Sequence, residues 1–322
     1  RRRKPGLSLA AGAALVLVTA CGEVDPDDST KLAEEERRPA GAERATLLVY
    51  AVSYPLAYFA ERIGGDLVQI EFPAPPDVDP AFWSPEPETV RAYQAADLIL
   101  LNGAGYAAWT GRVSLPSSRL VDTSAEVADR YVAAEDAVTH SHGPEGEHAH
   151  GTTASATWLD PTIAVEQARA VRDALTRARP EHAGAFDEGF AGLERDLLEL
   201  DRRLSEIVVT DPALPLLASH PVYQYLAARY GLDVRSVHFE PDELPSPGGW
   251  RDLQAVLEAH PARWMLWEAE PLPETAARLR ERGVESVVFS PAANRPAQRD
   301  YLSVMAANVR GLSRAYGRAQ LP

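Results

Sequence analysis

Short, continuously hydrophobic segments alternate with amphipathic stretches along the chain from Thr46 onward. Apolar segments without polar alternation are typical of strands that are covered on both faces, as in parallel sheets. The amphipathic stretches between them predict helices that cover those faces. The pattern therefore predicts an α/β fold. The predicted strands are residues 46–52, 68–72, 97–101, 119–121, 214–218, 234–239, 264–267 and 286–289.

One predicted helix is much longer than the others and divides this pattern into two blocks. Large apolar residues from Phe186 to Ile207 recur at spacings of three and four, and Pro180 interrupts the chain just before them. We therefore expect two αβ lobes, residues 46–178 and 210–322, joined by a rigid linking helix within 179–209. A ligand is expected between the lobes, at the carboxyl ends of the strands. The other predicted helices are 55–63, 86–96 capped by Ser84, one starting at Asp160-Pro161, 221–230, 249–260, 274–282 and 299–316.

The first 45 residues have the pattern of a secreted, lipid-anchored protein. Residues 1–20 join a basic start to a mostly apolar stretch that is too short to span a bilayer, which is typical of a signal peptide. The sequence Val-Thr-Ala-Cys-Gly at its end resembles a bacterial lipoprotein signal, so Cys21 is the predicted lipid anchor. Residues 21–45 are acidic and poor in large apolar residues, and we expect them to form a flexible tether. A plain signal peptide with an incidental thiol is the alternative.

Composition narrows the possible chemistry. The 322 residues include 47 acidic and 32 basic side chains, a formal charge of −15, and the segment after residue 20 carries −19 because the first 20 residues hold four basic residues and no acidic ones. Such a surface repels phosphate backbones, so no nucleic-acid partner is expected. The single cysteine, Cys21, excludes an internal disulfide and a multi-thiolate zinc site. Any metal must therefore be held by His, Asp and Glu.

Half of the eight histidines lie in one polar loop, residues 137–156. Imidazoles spaced as H-x-H-x5-H-x-H on a flexible chain can gather a divalent metal ion with modest affinity, with nearby glutamates adding oxygen ligands. The alternative is a solvated surface loop without a ligand. The histidines concerned are His140, His142, His148 and His150.

A further histidine, His220, follows a predicted strand of the second lobe and precedes Pro221. This position places its imidazole at the carboxyl edge of the sheet, facing the expected cleft, although a lone histidine there is more often structural. Acidic side chains also follow strands of this lobe and are candidates to line the cleft; solvation is their usual role. They are Glu240, Asp242, Glu243, Glu268 and Glu270.

The segment 102–108 fits the looser dinucleotide-binding pattern G-x-G-x-x-A through Gly103 and Gly105, and Asp122 follows at the distance of a ribose-binding acid. A nucleotide-dependent enzyme is therefore one alternative. The pattern follows the third predicted strand, and not the first, which favours a simple turn.

Taken together, several segments resemble the metal-binding receptors of bacterial ABC importers, the zinc and manganese group of substrate-binding proteins. Their order and spacing cover almost the whole chain from Thr46. The resemblance implies two αβ lobes of the cluster A-I type, a rigid linking helix, one metal ion between the lobes and, in zinc members, a His-rich loop. The matching segments are Tyr54-Pro-Leu-Ala, Ile63-Gly-Gly-Asp, Pro76-Asp-Val-Asp-Pro, Ala95-Ala-Asp-Leu-Ile, Asn102-Gly, Trp158-Leu-Asp-Pro, His220-Pro-Val-Tyr-Gln-Tyr-Leu and Arg229-Tyr-Gly-Leu.

The same resemblance implies four metal-ligand positions, of which this sequence keeps one good donor, His220. The other three positions are Ala81, Ala156 and Ser290. One imidazole cannot hold zinc tightly, since a zinc site uses three or four donors.

Three explanations for the missing donors stay open. In the first, His220 binds metal together with carboxylates such as Glu240, Asp242 or Glu268, and with His238. In the second, the His-rich loop alone collects metal. In the third, the cleft binds a different kind of ligand. Trp83 and Trp158 flank two of the replaced positions, and Trp267 follows a strand of the second lobe. As cleft aromatics they would suit an organic or cationic guest, whereas core packing is the alternative.

From these observations we expect a lipid-anchored, extracytoplasmic substrate-binding protein that captures zinc, manganese or another divalent metal, without an organic cofactor and without catalysis. Its expected partners are an ABC permease and, through the lipid, a bacterial membrane, and we expect a monomer. The alternatives are a relative that binds a non-metal ligand, an accessory metal chaperone and, from another class, the nucleotide-dependent enzyme.

Overall fold

Two four-stranded parallel sheets form the centres of two lobes in the computed structural model, which describes residues 46–134, 139–141, 147–149 and 153–317. The strand order is β2-β1-β3-β4 in the first sheet and β10-β9-β7-β8 in the second. The first sheet comprises β1 (Leu47–Ala51), β2 (Val68–Glu71), β3 (Leu98–Leu101) and β4 (Leu120–Asp122). The second sheet comprises β7 (Pro215–Ala218), β8 (Asp233–Ser236), β9 (Trp264–Trp267) and β10 (Glu285–Val288).

Helices alternate with these strands as predicted. They are α1 (Tyr54–Gly64), α2 (Pro87–Ala95), α3 (Pro161–Ala178), α4 (Ala183–Val208), α5 (Gln224–Tyr230), α6 (Pro247–Ala259), α7 (Pro273–Arg280) and α8 (Tyr301–Ala315). Within the described residues, no helix combines the length and the apolar composition that a membrane span requires.

The linking helix α4 forms where the sequence predicts it. Its apolar stripe is buried, including Phe186 and Ile207, and α4 packs on α3, α1 and α8. At Gly189 the helix passes so close to α1 that an added Cβ would stand 2.5 Å from the carbonyl oxygen of Ile63. A glycine therefore allows the two helices to approach. Helix α3 begins as expected, because Asp160 Oδ1 accepts hydrogen bonds from the amides of Thr162 (2.8 Å) and Ile163 (3.4 Å).

The buried core extends without interruption from the first lobe through α4 and α8 to one face of the second sheet. Side chains alternate along the strands, so Leu216 and Leu266 face this core. Their neighbours Leu217, Met265 and Trp267 face a separate, smaller core beneath α6 and α7. The two lobes consequently share one hydrophobic core.

Hydrogen bonds between the lobes reinforce this shared core. The indole Nε1 of Trp158 donates to the carbonyl of Pro291 at 2.8 Å, and the amide of Tyr54 donates to the carbonyl of Ala293 at 3.0 Å. The side-chain amide of Asn294 donates to the carbonyl of Val78 at 2.8 Å. These bonds fix the segment after β10 against the first lobe, directly beside the cleft.

Several predicted helix boundaries were wrong by a few residues. Helix α2 begins after Glu86, whose φ and ψ are extended, and Ser84 does not cap it. Helix α5 begins at Gln224 and not at Pro221, because Pro221 and Val222 form a turn in which the Val222 amide bonds the His220 carbonyl. The short strands β5 (Thr139–Ser141) and β6 (Glu147–Ala149) in the His-rich loop were not predicted; they pair antiparallel.

Candidate functional site

A cavity of about 480 Å³ lies between the two lobes, at the carboxyl ends of strands of both sheets. This is the location that the sequence predicts for a ligand. The lining residues that bear on its chemistry are Asp79, Ala81, Phe82, Trp83, Ala104, Gly105, Tyr106, Ala108, Trp109, Arg112, Ala156, Trp158, His220 and Glu268.

His220 is the central polar residue of the second-lobe wall. It follows β7, it is 8% exposed, and its Nε2 lies 3.5 Å from Glu240 Oε1. The other ring nitrogen, Nδ1, lies 3.8 Å from Glu268 Oε1. The ring of His238 packs edge-on at 5.8 Å between centroids, and His238 itself is exposed. The structure thus brings together three candidate residues that the sequence predicted separately, because β7, β8 and β9 are neighbours in the sheet. These residues are His220, Glu240 and Glu268.

Glu268 lies in an unusual electrostatic environment. Burial in the cleft, together with the negative charges of Asp79 and Glu240, raises the pKa of Glu268 from 4.5 to about 8. Water still reaches 32% of the Glu268 side chain, so the carboxyl group lies in a narrow cleft and not in a water-free core. Asp79 belongs to the first lobe, so carboxylates of both lobes act on the same point. Such crowding favours a bound cation.

The three positions where the resemblance implies lost metal ligands differ in location. Ala81 and Ala156 line the cavity, and each presents a methyl group to it. Ser290 is not among the lining residues: its amide donates to Asn308 Oδ1 at 2.9 Å, and its hydroxyl accepts from the Ala292 amide at 3.3 Å. Ser290 therefore stabilises the turn after β10 through these hydrogen bonds.

The three tryptophans named from the sequence have separate roles. Trp158 is 1% exposed, packs edge-to-face on Tyr106 and touches the cavity while its Nε1 bonds the other lobe. Trp83 is half-buried, lines the cavity and packs edge-to-face on Trp109 at 6.3 Å. Trp267 is fully buried in the smaller core and does not line the cavity, so core packing is its role.

The glycine-rich segment after β3 does not have the structure of a dinucleotide-binding loop. Gly103, Ala104 and Gly105 all have positive φ, and an added Cβ on Gly103 would overlap the hydroxyl of Ser124. A single 3₁₀ turn, Ala108–Gly111, follows in place of the helix whose N-terminus would hold a pyrophosphate. The segment forms one wall of the cavity.

Two predicted features lie wholly or partly outside the described residues. Cys21, His142 and His150 are outside them. His140 and His148 are described only as directly paired positions of the β5–β6 ladder. Ala134, just before the loop, and Thr153, near its end, both line the cavity, so the His-rich segment leaves and rejoins the fold beside the cleft.

Sequence reasoning missed several residues of the cavity. The sequence points to Asp79 only as part of a segment that resembles the family and to Tyr106 only as part of the glycine-rich segment, and it does not predict a cavity role for Phe82, Trp109 or Arg112. Their common signal is position, because they lie in the loops after β2 and β3. Across residues 46–134 and 153–317, no three His, Cys, Asp or Glu side chains are arranged to hold a metal ion. A zinc ion here thus requires either side-chain movement or donors from elsewhere.

Comparison with known proteins identifies this architecture. The profile of the family described as "ZnuA: Zinc-uptake complex component A periplasmic" matches residues 49–315. The crystal structure of the metal-dependent lipoprotein YcdH from Bacillus subtilis superposes with a TM-score of 0.72 at 19% identity, covering 84% of this chain and 99% of that one.

Two curated relatives are similar in sequence. The zinc-binding protein AdcA of Streptococcus pyogenes serotype M3 is 24% identical over 282 residues, which are 82% of this chain and 55% of AdcA. The high-affinity zinc uptake system protein ZnuA of Bacillus subtilis is 23% identical over 267 residues, 80% of this chain and 78% of that protein. The chain therefore spans about half the length of AdcA and most of ZnuA.

Proposed function

Since the chain belongs to the ZnuA family, the periplasmic component A of zinc-uptake complexes, we propose that it captures a divalent metal ion between its lobes and delivers it to an ABC permease. Zinc is the first candidate, because the similar proteins AdcA and ZnuA are named for zinc. The observation that carries the proposal is the position of His220, which lines the inter-lobe cavity together with Glu268 and has Glu240 Oε1 3.5 Å from its Nε2.

The charges of the cleft suit this cargo. Burial in the cleft, and then repulsion from Asp79 and Glu240, raise the pKa of Glu268, and a divalent cation would favour its ionised form. One nitrogen of His220 would bind zinc beside one glutamate, and the other nitrogen would donate its N–H to the second glutamate, which would orient the ring. The protein's work is capture, without a chemical step.

We propose a second, weaker role for the His-rich loop. His140, His142, His148 and His150 would collect metal ions at the rim of the cleft, where the loop joins the fold at Ala134 and Thr153. The short ladder that pairs His140 with His148 supports this, because it brings the two halves of the motif together. Loosely held ions at the rim would raise the local concentration for the deeper site.

For the cellular setting, we propose a monomer on the extracytoplasmic side of the membrane, anchored by lipid on Cys21. The sequence Thr19-Ala20-Cys21-Gly22 and the acidic segment 22–45 support this placement. The family description names a periplasmic component.

The cavity walls favour a second candidate function, a relative that binds an organic ligand. Trp83, Trp109 and Phe82 give one side an aromatic surface that a bare ion does not use. Ala81 and Ala156, both lining the cavity, supply no metal donor. An accessory metal chaperone would also fit the donors present.

Isothermal titration of the chelator-treated full chain with Zn²⁺ tests the first proposal. We expect two classes of site, the tighter one lost in His220→Ala and the weaker one lost when a Gly-Ser linker replaces residues 139–150. His182→Ala, a histidine at the start of α4 and outside the cavity, is the matched control and should keep both classes. If only weak binding is seen and loop replacement abolishes all of it, the inter-lobe site is wrong.

A further inference from the structure

The cavity is much larger than a metal ion requires. Its volume of about 480 Å³ lies within the range of about 300–1,000 Å³ in which proteins bind small organic molecules. Zinc bound directly to imidazole and carboxylate groups has bond lengths of about 2.0–2.2 Å, so it would occupy only the corner beside His220 and Glu268. The remaining space faces the first lobe.

The metal donors are concentrated in that corner. His220 and Glu268 line it from the second lobe, with Glu240 beside the His220 ring, and the first lobe adds Asp79, while Ala81 and Ala156 present only methyl groups. Among the described residues no three of these donors are arranged to hold a metal ion, so a zinc ion that takes three or four ligands would keep open coordination positions. A ligand that arrives with the metal would fill them.

The opposite wall has a different chemistry. Phe82, Trp83 and Trp109 form an aromatic surface in which the two indole rings pack edge-to-face at 6.3 Å. Arg112 lies three residues after Trp109 and is exposed. It is the one Arg or Lys among the described residues that line the cavity, and it forms no ion pair with a described carboxylate. Planar aromatic groups stack on such surfaces, and guanidinium groups pair with carboxylates. The cavity therefore carries metal donors at one end and a site for an aromatic acid at the other.

We propose that the cargo enters this cleft as a zinc complex of a small aromatic carboxylate chelator. His220 and Glu268 complete the coordination of zinc, the aromatic ring of the chelator lies against Trp83, and Arg112 pairs with the carboxylate oxygen that zinc leaves free. The complex of Zn²⁺ with one singly charged chelator keeps a positive charge, which suits the acidic corner formed with Asp79. This inference rests on the proposed function and names the form in which the metal is captured.

Titration of the full chain with preformed one-to-one zinc complexes tests the inference. The probes are zinc with pyridine-2-carboxylate, which supplies one nitrogen and one oxygen donor on an aromatic ring, and zinc with glycinate, which supplies the same donor types without a ring. Free Zn²⁺ and metal-free pyridine-2-carboxylate are the reference titrations. We expect the pyridine-2-carboxylate complex to bind about tenfold more tightly than the glycinate complex, since one stacking contact is worth about one power of ten. The glycinate complex in turn should bind more tightly than free Zn²⁺, because its carboxylate pairs with Arg112.

Variants assign this gain to the two walls. Trp83→Leu should remove most of the gain over the glycinate complex, whereas Arg112→Gln should weaken both complexes; Arg91→Gln, an exposed arginine on α2, should change none of the affinities. His220→Ala should abolish binding of every zinc probe at this site.

If the two complexes and free Zn²⁺ bind equally, with binding that depends on His220, the inference is overturned and the proposed function stands. If pyridine-2-carboxylate binds equally well with and without metal and His220→Ala has no effect, both are overturned in favour of an organic cargo. If no probe binds in the cleft, the proposed function itself fails.

Discussion

Replacing Glu268 by glutamine should make the metal-free protein more stable at alkaline pH. In the folded chain the pKa of this carboxyl is about 8, above its ordinary value of 4.5, because of burial and the charges of Asp79 and Glu240. Between these two values the folded protein keeps a proton that the unfolded chain has lost. Stability therefore falls as the pH rises through this window, and the deficit is complete above pH 8.

The size of the deficit follows from the pKa difference. A rise from 4.5 to about 8 corresponds to at most about 5 kcal/mol of destabilisation of the ionised form. Water reaches 32% of the side chain, which screens part of this cost, so we expect about 1–3 kcal/mol at pH 8.5. For a chain of this size that is a rise in Tm of about 2–10 °C.

Thermal and urea denaturation in the presence of a chelator, at pH 4 and pH 8.5, measure the effect. Glu268→Gln should nearly match the wild type at pH 4, where the carboxyl is protonated in both the folded and the unfolded chain, and exceed it at pH 8.5. Glu270→Gln, an exposed carboxylate two residues further along, is the control and should change neither value by much. The same Glu268→Gln variant should bind zinc more weakly, because a neutral amide is a poor zinc ligand.

A variant that loses stability equally at both pH values would refute this reasoning. Such a loss would mean that the contacts of the Glu268 side chain stabilise the folded protein by more than the burial of its carboxylate costs. A gain that does not depend on pH would also refute it, because the effect would then not arise from ionisation.

Two further predictions concern the contacts that join the lobes and the linking helix. Trp158→Phe removes the hydrogen bond to the Pro291 carbonyl and should cost about 1–3 kcal/mol in urea denaturation while the rest of the aromatic contact persists; an unchanged midpoint would contradict this. Gly189→Ala should destabilise by about 1–3 kcal/mol, because the added methyl meets the Ile63 carbonyl, whereas Gly192→Ala on the same helix should stabilise by about 0.5–1 kcal/mol. The reverse order of the two glycine variants would show that the helices are not in close contact.

The sequence predicted the fold where the determining interactions are local. The Asp160 cap and the buried stripe from Phe186 to Ile207 depend on spacing along one helix, and both are confirmed. Helix α5 was predicted three residues too early, because Pro221 is as favourable in a turn as in the first turn of a helix.

The cleft could be predicted only in part. Because β7, β8 and β9 are parallel neighbours, the loops that carry His220, Glu240 and Glu268 had to emerge at one edge. The size of the cavity and the contact of Trp83 with Trp109 depend on how distant loops pack, which no local pattern encodes.

The shared core has a consequence for how cargo leaves the protein. Since one continuous set of buried side chains and the helix α4 hold both lobes, we expect loaded and empty forms to differ mainly in the loops that frame the cavity mouth. Release would then be slow while the protein is free in solution. Under the proposed function, a permease that docks across the mouth and spreads those loops would set the rate of unloading, so the transporter would control the timing of delivery.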